Sequence, residues 1–234
     1  MTRAAFAAAA VAILVIVCAA PAAAQSKLAQ QKRSGERSRF EASIGALWIG
    51  GAGLGSADAN LRANNVTPTP FRLFSTETDA AGAPGLDARV AYWLARAFAI
   101  EAGFVRVRPE LRTRVTADAE GAPAVTVAER IDQYFVDVGV VWLLERFAVG
   151  GLVPFVSGGA GYLRQLHEGR TFVETGQVYE FGGGVRRDLF ADIGWLDRVG
   201  VKLHGRAYVL VDGVQLEDRA RTHGAFSGAV FVAF

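Results

Sequence analysis

One stretch, residues 222–234, restricts what this chain can become more than any other. It reads THGAFSGAVFVAF, and side chains along a strand point alternately to opposite faces. Phe226, Gly228, Val230, Val232 and Phe234 then share one face, while His223, Ala225, Ser227, Ala229, Phe231 and Ala233 share the other. A soluble domain has no general reason to finish on an aromatic at the tip of an apolar strand. A closed membrane barrel has one, because its last strand faces lipid and pairs with its first.

The same period of two recurs upstream. It predicts strands over 40–49, 86–94, from 98, 134–145, 153–164, 173–185 and 199–211, which with 222–234 makes eight of roughly ten residues, the length that crosses a bilayer when tilted. The stretches 50–85, 107–129, 165–172 and 212–221 read as loops on one side. Gly50, Gly51, Gly53 and Gly55 mark the first as flexible, and Pro109 argues against continuing the third strand. Short turns are expected at 95–97 and 146–151 on the other side. Residues 187–198, with Leu189, Phe190, Ile193, Trp195 and Leu196, read as a turn containing an interfacial helical piece. The expected fold is all-β: an eight-stranded antiparallel up-and-down transmembrane β-barrel over residues 39–234.

Charge decides which face meets lipid. Asp87, Arg89, Glu101, Asp137, Glu145, Glu180, Arg186, Lys202 and Arg206 fall on one parity of their strands, with His204 beside them. A cation facing mid-bilayer costs roughly 2–4 kcal/mol, so this parity points inward. Eight strands enclose just enough room for side chains, so the interior is expected to be a paired polar plug, with Arg206 against Glu180 or Asp137. Trp48, Tyr92, Tyr134, Trp142 and Tyr162 lie toward strand ends on the other parity, as an aromatic girdle would.

The N-terminus carries an address. Arg3, an apolar run over 11–17 and Ala22-Ala23-Ala24 form a secretory signal peptide, residues 1–24, and the polar, basic stretch 25–38 reads as a disordered periplasmic lead-in. The single cysteine, Cys18, lies within the signal segment. A formal net charge of +2 gives no basic excess that would argue for nucleic acid.

Residues 222–234 resemble the C-terminal strand of bacterial outer-membrane β-barrel proteins, with the upstream glycine at 228 rather than 229. The alternation from Phe40 to Phe234 resembles the eight-stranded OmpA-like and OmpW-like barrels. The resemblance implies a bacterial outer-membrane location, contact with outer-membrane lipid, and recognition of Phe226, Gly228, Val230, Val232 and Phe234 by the barrel-assembly machinery.

No catalytic pattern emerges. Outer-membrane lipid A deacylases carry a His-x-Ser pair, but His167, His204 and His223 are followed two residues on by Gly169, Arg206 and Ala225. No metal-ligand spacing occurs, and no cofactor is expected. The expected function is a non-enzymatic barrel that presents surface loops. A narrow channel for small apolar solutes, as the OmpW-like resemblance implies, is one alternative. A soluble periplasmic lipid-binding barrel of lipocalin type is another, and it would place charge outside and apolar residues inside.

Overall fold

The computed structural model describes residues 38–61, 71–116, 118–167, 173–212 and 221–234. The expected signal peptide, and the lead-in apart from Ser38, lie outside the described residues, as do most of the expected loops 165–172 and 212–221. Twelve strands are described: β1 (Phe40–Ile49), β2 (Ala52–Leu61), β3 (Phe71–Ala80), β4 (Ala83–Ala95), β5 (Phe98–Val107), β6 (Glu110–Thr116), β7 (Val125–Arg130), β8 (Asp132–Leu143), β9 (Leu152–Leu166), β10 (Val173–Ile193), β11 (Leu196–Asp212) and β12 (Arg221–Ala233).

Eight of them, in the order β1-β12-β11-β10-β9-β8-β5-β4, close into an antiparallel barrel. They are the eight strands that the alternation predicts. The last strand pairs with the first, from Glu41 opposite Ala233 to Ile49 opposite Ala225. Backbone bonds between Phe40 and Phe234, 2.9 and 3.3 Å, complete the seam. Closure leaves no strand edge to be solvated by lipid, which cannot hydrogen-bond.

The other four strands correct the sequence reading. Residues 50–85 and 107–129 are not simply loops: β2, β3, β6 and β7 form a four-stranded sheet in that order. Each continues a barrel strand past a brief interruption. The β1–β4 pairing ends at Ile49 opposite Ala83, and the β2–β3 pairing resumes at Ala52 opposite Ala80. Pro109 sits in the break between β5 and β6, where its missing N–H costs nothing. Its carbonyl accepts from the Ile131 N–H at 3.1 Å, and the Ala81 N–H donates to Glu110 at 2.8 Å. Half of the barrel wall thus rises beyond the other half.

This raised wall has two unlike faces. Thr76, Thr78, Leu111, Thr113, Val115, Val125 and Val127 share one through their cross-strand pairings. Leu54, Ala80, Leu111 and Ile131 cluster at its base. On the opposite face Glu77 stands across from Arg114 and Asp79 across from Arg112, opposite-charge pairs that favour this register. The Arg221 guanidinium ties β12 to the wall through the carbonyls of Gly53, at 2.8 Å, and Leu54.

Residues 187–198 also differ from expectation. No helical piece forms there: β10 and β11 pair down to Ile193 opposite Leu196 and turn through Gly194-Trp195. Gly194 has a φ of 63°, which glycine adopts without steric cost. Leu189, Phe190, Ile193 and Trp195 are exposed in this hairpin. Glu145 leaves the barrel pattern too, because it starts a 3-10 turn, Glu145–Phe147.

Candidate functional site

The barrel interior gathers the charges that the strand parity points inward. Asp87, Arg89, Glu101, Asp137, Glu180, Arg186, Lys202, His204 and Arg206 are all buried. Arg89 is the hub. Its Nε donates to Asp87 at 3.0 Å, its Nη1 reaches Glu101, Asp137 and Glu180 at 3.0–3.1 Å, and its Nη2 adds a second bond to Glu180 at 3.0 Å. The planar guanidinium fork allows one cation to serve four carboxylates, which a lysine ammonium could not match in geometry. Lys202 holds the other oxygen of Glu101 at 2.8 Å.

Arg206 is placed differently from the expectation. It bonds Asp87, Ser227 at 2.7 Å and the Tyr208 hydroxyl at 2.7 Å, rather than Glu180 or Asp137. Arg89 already occupies those two carboxylates. Periodicity shows which residues share a face, but the height at which side chains meet follows from strand stagger.

Glu41 was missing from the expected network. It accepts from Arg186 at 2.8 Å and from the Trp93 indole at 3.3 Å. The signal was in the sequence, since Glu41 shares its parity with Ser43 and Gly45 on the first strand. The Arg186 guanidinium also lies over the Phe231 ring, 4.0 Å from its centroid. Phe231 is the large aromatic on the inward face of β12, and it is fully buried.

Small residues make room for the acids. A methyl in place of the Gly103 hydrogen would stand 2.5 and 2.7 Å from the Asp137 carboxylate oxygens. Gly103→Ala is therefore expected to push Asp137 off Arg89 and lower the unfolding free energy by about 1–3 kcal/mol, as overpacking does, which shows as a lower denaturant midpoint. An unchanged midpoint in detergent would mean that the carboxylate has room to move.

The Arg89 hub lies between two apolar clusters, and the Arg186–Glu41 pair sits within the second of them beside Trp93. Toward the raised wall, Leu47, Ile49, Val107, Phe135, Leu163 and Tyr208 belong to one buried cluster, with the Phe135 and Tyr208 rings stacked at 5.3 Å. Toward the end that carries Phe40 and Phe234, Ala91, Trp93, Ala99, Val141, Leu143 and Phe155 form another. Buried charges persist in such surroundings only when paired.

Histidine contacts cross between strands. His204 Nε2 and the Ser157 hydroxyl are 2.9 Å apart, a pair that no sequence spacing announced because it joins β11 to β9. His204 Nδ1 has no hydrogen-bond partner. His223 Nδ1 lies 3.3 Å from the Gly50 carbonyl at the base of the raised wall. Among the described residues no group of His, Cys, Asp and Glu could hold a metal ion.

The outside of the barrel is apolar. Ile44, Val90, Val138, Val140, Phe181 and Leu203 are exposed at mid-height, the reverse of the lipocalin pattern. Of the aromatic residues singled out, Tyr92 and Trp142 lie toward the end bearing the described termini, and Trp48, Tyr134 and Tyr162 toward the raised wall. Phe226 on β12 and Phe234 just beyond it are exposed, with Gly228, Val230 and Val232 between them on the same side. The Phe234 ring lies 6.2 Å from both Phe40 and Trp195.

A closed eight-stranded barrel with an apolar outside and an ion-paired inside is a transmembrane β-barrel of the outer-membrane type. A solved structure agrees on that fold. The structure is similar to that of neisserial surface protein A (NspA), with a TM-score of 0.51 and 11% identity, covering 83% of this chain and 97% of that one. Ail, the attachment invasion locus protein of Yersinia pestis, aligns with a TM-score of 0.38 at 11% identity over 85% of this chain and 100% of its own. The outer membrane protein OprG from Pseudomonas aeruginosa aligns at 0.43 and 9% over 85% and 94%. No protein-family model matches the sequence, and no curated protein does. The likeness to NspA is therefore one of fold, and function has to be argued from this chain's own residues.

Proposed function

We propose that this chain is a non-enzymatic, non-conducting barrel of the bacterial outer membrane, and that it acts through the sheet it raises outside the bilayer. The observation that carries this reading is the layering of the interior. An ion passing through would have to cross two apolar clusters and break the Arg89 hub between them, and an unpaired charge in such surroundings is costly. A seal of this kind supports an anchor better than a pore. The raised wall supplies what the anchor holds, with one face of paired charges and one mostly of Thr and Val.

The Ser157–His204 pair does not alter this reading. His204 is 1% exposed and its Nδ1 lacks an orienting partner. A serine nucleophile needs a base that is itself oriented by a third group, and a substrate must reach it.

Purified protein in planar bilayers tests the proposal. Insertion without unitary current steps is the expected result. Clear single-channel steps would overturn it in favour of a conducting barrel.

A further inference from the structure

On the outward face of the barrel, charge gathers on the side of the raised wall. Arg106 on β5, Tyr134 on β8 and Arg164 on β9 are direct cross-strand partners in a single row, just beyond the apolar belt on the side of the raised wall. The Arg106 guanidinium lies 5.5 Å from the centre of the Tyr134 ring. Arg108 stands beside them, and Arg106 and Arg108 share one carboxylate, Asp132, the former at 3.2 Å. Arg164 is exposed and has no ion-pair partner among the described residues. Around the barrel at similar height the outward positions are uncharged: Leu86, Trp48, Phe226, Gln177 and Thr175. Three arginines against one aspartate therefore make a local cationic patch on three adjacent strands.

We propose that this patch binds the phosphate of an anionic glycolipid in the outer leaflet. Long arginine stems lie along apolar surface while their heads reach the headgroup level. Two strands apart, Arg106 and Arg164 are separated by about 10 Å at the backbone, which lets both forks converge on one phosphate. Tyr134 between them is the residue type that settles at a membrane interface, with its ring toward the acyl boundary and its hydroxyl in the polar zone. Asp132 competes with the lipid for Arg106 and Arg108 and so sets the strength of binding. The inference rests on the outer-membrane reading above. Recovery of the chain as a soluble protein without detergent would fail that reading, whereas the measurements below fail the lipid site alone.

The test uses the full-length barrel in mild detergent, with diphosphorylated lipid A as the probe and native mass spectrometry to count lipid bound per barrel. Dephosphorylated lipid A and inorganic phosphate are the comparison arms. Arg106→Gln with Arg164→Gln is expected to lower apparent affinity about tenfold or more, as the loss of charged hydrogen bonds does, with heat-modifiable mobility confirming that the barrel is folded. Asp132→Asn is expected to raise affinity, and Arg187→Gln, an exposed arginine at the opposite rim, to leave it unchanged. Equal binding of the dephosphorylated lipid, displacement of lipid by equimolar inorganic phosphate, or unchanged affinity in the double variant would each overturn the proposal. A loss of affinity in Asp132→Asn would do the same.

Discussion

Arg89→Ala is expected to destabilise the barrel more than any other single change to its interior. It strips Asp87, Glu101, Asp137 and Glu180 of a shared cation at once. Breaking one buried pair costs about 3–5 kcal/mol, chiefly because a charge is left buried and uncompensated, and here Asp137 and Glu180 both lose their cation, while Asp87 keeps Arg206 and Glu101 keeps Lys202. Arg206→Ala is expected to cost less, about 1.5–3 kcal/mol as for hydrogen bonds to charged groups, because Asp87 keeps its bond to Arg89 Nε at 3.0 Å. Arg89→Lys restores the charge without the fork and is expected to fall between the two. The measurement is the urea midpoint of each variant refolded in detergent. Equal midpoints for Arg89→Ala and Arg206→Ala would mean that no hub exists and that the interior acids are solvated or protonated independently.

Deleting Phe234 is expected to damage assembly in cells far more than stability in detergent. The residue supplies two backbone bonds to Phe40 and a half-exposed ring between Phe40 and Trp195. Partial burial of one aromatic is worth at most about 1.5–3 kcal/mol. The seam retains its pairing from Glu41 opposite Ala233 to Ile49 opposite Ala225, so a purified chain should still close. We propose that the larger effect is kinetic, through recognition of the alternating face of Phe226, Val230, Val232 and Phe234 by the assembly machinery. Folded barrel in outer membranes and refolding yield in detergent give the two readouts. A proportionate loss in both would leave Phe234 with a packing role alone, and no loss in either would remove the strand's role as an assembly signal.

The two predictions differ in how far the sequence could supply them. Phe234 is legible as a lipid-facing terminus from alternation alone. Arg89 is legible as inward, but not as the hub. Nothing in its sequence neighbourhood separates it from Arg206, which sits on the same parity. Only strand stagger brings Asp137 and Glu180, which are 48 and 91 positions away in the chain, to one guanidinium. The Ser157–His204 contact was hidden for the same reason, because it joins strands that are not neighbours in the sheet.

The raised wall was misread on more local grounds. β6 does alternate, with Leu111, Thr113 and Val115 against Glu110, Arg112 and Arg114. Its inward-parity residues are mostly threonine and valine rather than large apolar groups, and β2, at the far edge of the same sheet, is built of small and polar residues with breaks in register against β3 at Gly53/Gly55 and Ala59/Asn60. A strand that meets water on both faces has no lipid to impose strong contrast, so its period of two is weak in the sequence. Pro109 and the paired glycines were correctly read as interruptions of pairing, yet an interruption of two residues is not an end.

By itself, the sequence determined that eight strands cross a bilayer, which face of each meets lipid, and, Glu41 and Glu145 apart, which charges are inside. All three follow from the cost of placing a charge in hydrocarbon, a rule that acts residue by residue and therefore leaves its mark at every second position. The tertiary structure decided the rest: which carboxylates share Arg89, the two apolar clusters on either side of that hub, the four-stranded wall, and the row of Arg106, Tyr134 and Arg164. Each of these depends on the stagger between strands, which is set by closure of the whole ring and is written in no single segment.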